Sequence, residues 1–380
     1  MGGKTYYMCF YSDKETENTI VTYPSVISKI DYIVHCLKRL EQNVSVVSIA
    51  PSIKGKFDGA VKKIDENEEH IFLKSYTPEN RIFKKISFII HNLRILAFLF
   101  KNVKKDDTVL VYHSLYNRFW FKAYNCFAKR NIILQIEDVF SELSSETEKF
   151  EKIEWRILKS VDKCICVNDI LKNDLRKTKM TLVSMGNYSL PKKFLKQKTD
   201  RIKLVYAGVI EQERNAAFLA ARAMEFLPSN YELNILGFGT DKNIADLEKL
   251  ISDINSRKTE KCVFYLGKKS GDAYYEFLQS CDIALSTHAY DEKTMSSADY
   301  TFPSKVLAYL GNNLRVVAQR LSVLEKSSVC EFISFYDKPE PEQIAKCIQQ
   351  IDLNKEYDSR EHIKELDQKF LVGLGNMVNK

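Results

Sequence analysis

Phe302-Pro303-Ser304-Lys305 is a turn whose residue types suit an anion. Pro303 fits the first turn of a helix, where its missing N–H costs nothing, and the helix behind it offers unpaired N–H groups. Ser304 and Lys305 then stand at the helix mouth, a hydroxyl to hydrogen-bond a phosphate and an ammonium to neutralise it. An ordinary helix start capped by Ser304 has the same spelling. A second set of residues suits acid–base work. Glu137 and Asp138 follow the apolar run N-I-I-L-Q-I, and His113 follows T-V-L-V-Y. A carboxylate or imidazole at a strand end can accept a proton or hold a hydroxyl, although Glu137 serves equally well as a cap and His113 as a satisfied imidazole. A third set is Gly237-Phe238-Gly239, a G-x-G that is not completed into the dinucleotide-binding G-x-G-x-x-G.

Strand ends and helix mouths need alternating strands and helices to position them, and the chain has two such series. In the first, short apolar runs at 5–11, 43–50, 107–113, 131–136, 162–168 and 181–184 predict strands. Val26, Ile30, Ile33, Val34 and Leu37 recur at helical spacing, so 25–40 is expected to be a helix, as are 82–100, 142–159 and 169–177. Residues 54–80, charged and weakly patterned, are expected to form a surface excursion. The second series starts with a strand at 202–206 that runs into Ala207-Gly208. It continues with strands at 231–236, 262–266, 283–285 and 315–318, alternating with helices, and ends with helices near 340–350 and 362–378. Strand–helix alternation of this kind predicts doubly wound α/β domains, which take ligands outside the carboxyl ends of their strands.

At 380 residues the chain exceeds what one core usually serves, so two domains are expected. A hydrophobic fraction of 45% with both charge signs well represented indicates a globular protein. No N-terminal run resembles a signal peptide, and the most apolar segment, 86–100, is interrupted by His91, Asn92 and Arg94 and is too short to span a bilayer. Nine scattered cysteines without a C-x-x-C pair or zinc spacing suit buried thiols in a reducing cytoplasm. The net charge of +7 resides in the first 190 residues. Between Lys74 and Arg130 twelve basic residues face three acidic ones and are interleaved with Phe83, Phe88, Phe98, Phe100, Phe119, Trp120 and Phe121. That mixture favours an anionic membrane surface or a polyanion, unless the aromatics are core; no nucleic-acid motif accompanies it.

The stretch F-P-S-K-V-L-A-Y-L-G-N-N-L-R-V-V-A, 302–318, resembles the nucleotide-sugar segment of GT-B glycosyltransferases, particularly the bacterial group 1 enzymes that build surface polysaccharides. The paired glutamates of that family would fall on Tyr300 and Ala308, and neither is acidic, so the donor contacts must differ there. The segment from Tyr206 and Gly208 through Arg214 and Asn215 is similar to the family's Y-x-G, basic residue and helix. The resemblance implies that Arg214 grips the donor pyrophosphate, while Val209 stands where a second basic residue is common. It also implies that Gly208, the Gly237-Phe238-Gly239 loop, Lys269, Thr287 and Phe302 to Lys305 lie against the donor, and that Glu137 occupies the position of a family histidine beside the transferred sugar. S-x-x-S-K-I-D-Y-I, 25–33, resembles a subset of polysaccharide enzymes, and its residues either meet an acceptor or cap a helix.

The resemblance implies an α/β protein of two Rossmann-like doubly wound domains facing across a cleft, 1–190 on the acceptor side and 191–360 on the nucleotide-sugar side, with a C-terminal helix, 361–380, crossing back to the first. The activity it implies is transfer of a hexose from a nucleotide-diphosphate sugar to a hydroxyl of a growing, lipid-linked glycan, with retention. Neither metal nor cofactor is expected, because Arg214, Lys305 and helix N-termini can carry the diphosphate charge. The expected location is the cytoplasm, with peripheral attachment to the inner membrane face. A nucleotide-sugar 2-epimerase and a non-catalytic glycan- or partner-binding subunit of the same fold are the alternatives.

Overall fold

The computed structural model describes residues 3–22, 24–128, 130–143, 148–195, 200–212, 215–290 and 295–379. They form two compact units, Met1–Asn187 with Gln368–Lys380, and Tyr188–Asp367.

The first unit contains β1 (Thr5–Cys9), β2 (Val44–Ser48), β3 (Gly55–Phe57), β4 (Ala60–Lys63), β5 (Glu68–Phe72), β6 (Ser75–Thr77), β7 (Thr108–Tyr112), β8 (Asn131–Ile136), β9 (Lys163–Cys166) and β10 (Met180–Val183). Eight of these make one sheet in the order β10-β9-β8-β7-β1-β2-β5-β4, parallel except for β4, and β3 pairs antiparallel with β6. Every residue of β1, β2 and β7 is buried, as central parallel strands covered on both faces require. The order reverses between β1 and β7, so their carboxyl ends flank the usual ligand crevice of such a sheet.

The segment 54–80 corrects the expectation of a surface excursion: it supplies four strands, β5 among them paired in parallel with β2. β5 reads E-E-H-I-F, too polar for an apolar-run argument, because its polar side chains find partners within the sheet. His70 bonds Glu68 at 2.8 Å, and Glu69 takes Lys4 and Ser45, each at 2.6 Å.

The second unit contains β11 (Ile202–Ile210), β12 (Tyr231–Gly239), β13 (Val263–Tyr265), β14 (Ile283–Ser286), β15 (Arg315–Gln319) and β16 (Ile333–Tyr336), wholly parallel in the order β13-β12-β11-β14-β15-β16. Helix Ala216–Ala223, A-A-F-L-A-A-R-A, sinks almost entirely into the core because small side chains allow close approach to the sheet. Helix Ser359–Val378 ends on the first unit. There Phe370 packs on Tyr32, and the Met377 carbonyl accepts from Asn131 at 3.1 Å and Lys163 at 2.7 Å. Seven of the nine cysteines are buried; Cys126 is exposed and Cys330 half-buried.

Candidate functional site

In the second unit the strand order reverses between β11 and β14. Three predicted or adjacent residues meet beside the end of β11. Lys305, the first residue of helix Lys305–Gly311, places its Nζ 4.4 Å from the Tyr206 ring centroid and 3.5 Å from the Tyr206 hydroxyl, which donates to the Val209 carbonyl at 3.2 Å. Gly208 makes room for this arrangement, since a Cβ there would lie 2.7 Å from the Lys305 ammonium and 2.9 Å from the Tyr206 hydroxyl. The buried Tyr309 fixes the helix against β11, its hydroxyl accepting from the Ala207 N–H at 2.9 Å and donating to the Ala207 carbonyl at 3.3 Å. Burial, with the neighbouring Tyr274 phenol adding to it, pushes the Tyr309 phenol well above its ordinary range, so it stays protonated and keeps both hydrogen bonds. The result is a positive charge held over an aromatic face where the backbone carries no side chain, a geometry able to receive an anionic ligand.

Several expectations at this edge are corrected. Ser304 has helical backbone angles and its side chain caps nothing; the turn is closed instead by the Val306 N–H on the Pro303 carbonyl at 2.9 Å. Helix Lys305–Gly311 has seven residues, and Phe302 is buried in the core. Gly237-Phe238-Gly239 is not a loop but the end of β12, in register with Gly208-Val209-Ile210. Gly237 has φ +152°, and a Cβ there would reach 1.9 Å from the Gly208 carbonyl oxygen; at Gly239 the Ile210 carbonyl would be 2.3 Å away. Close strand approach thus accounts for both glycines. Phe238 is exposed between them, with the Lys268 ammonium 5.5 Å from its ring.

The remaining candidates separate. The Thr287 hydroxyl is buried and donates to the Ala216 carbonyl at 2.7 Å, tying the end of β14 to the helix start. Asn215, just before that helix, is left-handed at φ +50°, a conformation asparagine tolerates, and its side chain makes no cap. Lys269 lies over Phe277, 5.4 Å from the ring centroid. Arg214 lies outside the described residues. Ala308, where a family glutamate is common, offers only its carbonyl, to Asn312 at 2.7 Å.

In the first unit Glu137 follows β8 and is buried. It accepts from Lys29 on helix Pro24–Arg39 and from Gln135 on β8, each at 2.5 Å, and Gln135 in turn accepts from the buried Tyr7 hydroxyl on β1. This chain joins β1, β8 and the helix behind β1, so Glu137 is a paired carboxylate rather than a bare base. Asp138 beside it is half-buried. Burial, followed by the Glu137 and Asp138 charges, pushes the nearby Tyr112 phenol far up. His113 is buried and engaged, its Nε2 2.7 Å from Glu154 on helix Glu148–Leu158. Glu154 also accepts from the Phe140 N–H at 3.1 Å and the Ser141 N–H at 2.7 Å. Its burial raises the carboxyl, yet His113 and Ser141 outweigh that and hold it below the usual carboxylate range. His113 thus has its Nε2 engaged by a buried carboxylate. Sequence reasoning missed Tyr7, Gln135 and Glu154. Gln135 had a signal, a lone amide inside an apolar strand, whereas Glu154 sits in an ordinary amphipathic helix and had none.

No protein-family model matches the sequence, and a search of curated proteins finds no match. Solved structures do match. One, from E. coli, is described as trehalose-6-phosphate bound with UDP-2-fluoro glucose. It is 9% identical with a TM-score of 0.69, and 99% of each chain is covered. An α,α-trehalose-phosphate synthase (UDP-forming) from Burkholderia xenovorans in complex with glucose-6-phosphate is 10% identical with a TM-score of 0.60, covering 99% of this chain and 97% of its own. A trehalose-6-phosphate synthase used to analyse enzymatic glycosyltransfer with retention is 8% identical with a TM-score of 0.64, covering 97% and 96%. These structures are of trehalose-phosphate synthases, and they lend no support to the surface-polysaccharide subgroup to which the F-P-S-K stretch is similar. At such identities the likeness is one of architecture: this chain has the GT-B fold, two doubly wound α/β units with a C-terminal helix that ends on the first.

Proposed function

We propose that the chain is a retaining glycosyltransferase that moves a hexose from a nucleoside-diphosphate sugar, a UDP-sugar, to a hydroxyl of a growing, lipid-linked glycan. The observation that carries this reading is the Lys305 ammonium over Tyr206 in the space left by Gly208, at the switch point of the second sheet. In transfer, the bond from the anomeric carbon to the diphosphate oxygen breaks, a bond to the acceptor oxygen forms, and the acceptor proton passes to the departing diphosphate. Negative charge then grows on the diphosphate. Lys305, together with Arg214, offsets that charge, an interaction stronger in the transition state than in the ground state. Gly208, at the end of β11, leaves the donor room to approach the main chain beside Lys305. UDP-sugar and retention are supported by neighbours bound with UDP-2-fluoro glucose or used to study transfer with retention.

A second reading keeps the donor and changes the acceptor to a sugar phosphate, favoured by the neighbour in complex with glucose-6-phosphate. UDP release from UDP-hexoses is measured with a glycan-lipid acceptor, with glucose-6-phosphate and with no acceptor. Release that requires the glycan-lipid is the expected result, and release that requires the sugar phosphate selects the second reading. Conversion without any acceptor means an epimerase, and no reaction across a donor panel overturns the enzyme reading.

A further inference from the structure

Helix Arg81–Asn102 buries the face that its sequence would least recommend. Asn80 starts it, its side-chain oxygen accepting from the Ile82 N–H at 2.9 Å. The buried residues are His91, Asn92, Ile95 and Leu99, and His91 is held by the Ile49 carbonyl 3.0 Å from its Nε2. On the opposite side Ile82, Ile86, Ile89 and Leu93 recur at three- and four-residue steps and Phe100 follows two turns after Leu93, forming one stripe at the helical repeat of about 3.6 residues. They are 47–69% exposed. Scattered exposed apolar residues need no account, but a continuous stripe along a five-turn helix marks an interaction surface.

What surrounds the stripe identifies its partner. The helix carries Arg81, Lys84, Lys85, Arg94 and Lys101 and no acidic residue. By helical position Lys85 borders the stripe on one side, and Arg94 and Lys101 border it on the other. The neighbouring segment Leu115–Phe127 adds Arg118 and Lys122, again with no acid, and exposes Phe119 at 55% and Phe127 at 78%. Between the two segments runs an almost wholly apolar groove of about 630 Å³, floored by Phe88, Leu96 and Trp120 and edged by Lys84, Lys85 and Arg118. Phe88 and Phe119 brace it edge to face with ring centroids 5.7 Å apart.

We propose that this face docks on an anionic lipid bilayer. Helix Arg81–Asn102 lies in the plane of the interface, its stripe enters the acyl boundary, and the groove accepts one lipid hydrocarbon chain whose phosphate meets Lys84, Lys85 and Arg118. Among the described residues no helix is long and apolar enough to cross a membrane, and the bases along this one keep it at the surface. A second copy of the chain fits poorly, because two-fold packing would set these bases against each other with no acid between them. A polyanion such as nucleic acid would leave the isoleucines uncovered. The inference stands independently of the acceptor proposed above.

Flotation of the full chain with phosphatidylcholine vesicles, with and without phosphatidylglycerol, tests it. Binding is expected only to the anionic vesicles and is expected to fall with added salt. Lys84→Gln with Lys85→Gln should weaken it about 30-fold, roughly fivefold for each charge of about 1 kcal/mol. Ile86→Ser with Leu93→Ser should abolish it while melting as wild type, because both side chains are exposed. Equal binding to neutral vesicles, or unchanged binding by either double variant, overturns the proposal. A wild-type dimer that Ile86→Ser/Leu93→Ser dissociates, with no vesicle binding, overturns it in favour of a protein interface. UDP release with a soluble acceptor should be the same for all three proteins, so its loss counts against the transferase reading and not against docking.

Discussion

Gly208→Ala adds one carbon beside the proposed diphosphate position. Its Cβ would lie 2.7 Å from the Lys305 ammonium and 2.9 Å from the Tyr206 hydroxyl. Ordinary contact begins near 3.4 Å, so the Lys305 Nζ must retreat by at least ~0.7 Å. Lysine is long and can swing away, and Gly208 does not have positive φ, so the backbone accepts alanine and the fold should lose less than about 1 kcal/mol. The ligand loses more. A hydrogen bond to a charged phosphate contributes about 1.5–3 kcal/mol, and the methyl group also blocks approach to the strand, so UDP should bind roughly 10- to 150-fold more weakly. Uridine, which lacks the phosphates, should be nearly unaffected. Titration calorimetry with UDP and with uridine, beside a thermal melt of both proteins, reads these quantities. Unchanged UDP affinity, or equal loss for UDP and uridine at unchanged stability, would refute the placement of Lys305 on the diphosphate.

Gly237→Ala provides the contrast: its Cβ meets the Gly208 carbonyl at 1.9 Å, main chain that cannot swing away, in a conformation L-residues rarely adopt. We expect a loss of about 2–4 kcal/mol, seen as a drop of roughly 5–15 °C in melting temperature; an unchanged melt contradicts the strand account of this glycine. Glu154→Gln replaces one acceptor oxygen by an amide that must face His113, Phe140 or Ser141, all donors, and should cost about 1.5–3 kcal/mol in urea unfolding at neutral pH. Because the folded state lowers the Glu154 pKa, its contribution is fully present above the unfolded value of 4.5 and is lost as pH falls through the folded one. The difference between wild type and variant should therefore shrink below about pH 4.5, and a difference that grows on acidification would show the carboxylate to be destabilised in the fold.

The two strand–helix series were legible in the sequence because central parallel strands are buried on both faces and read as apolar runs. T-V-L-V-Y and N-I-I-L-Q-I became β7 and β8 with hardly a shift. β5 was not legible, because E-E-H-I-F is compatible with a sheet only once Lys4, Ser45 and Glu68 arrive from elsewhere in the chain or strand to satisfy it. The same limit governs the site. Residue type nominated Lys305, Gly208, Glu137 and His113, since charge and the absence of a side chain are properties of single residues. Whether each is presented or occupied depends on neighbours distant in sequence. Tyr206, ninety-nine positions away, takes Lys305; Lys29, 108 away, takes Glu137; and Glu154, forty-one away, takes His113. Gly237 and Gly239 show the point most plainly. Their spelling suggests a ligand loop, and only the register of β12 against β11 shows that the space they leave is filled by carbonyl oxygens of the next strand. A sequence specifies which groups are available, but hydrogen bonding and packing act over a few ångströms, so their partners are decided only when the chain folds.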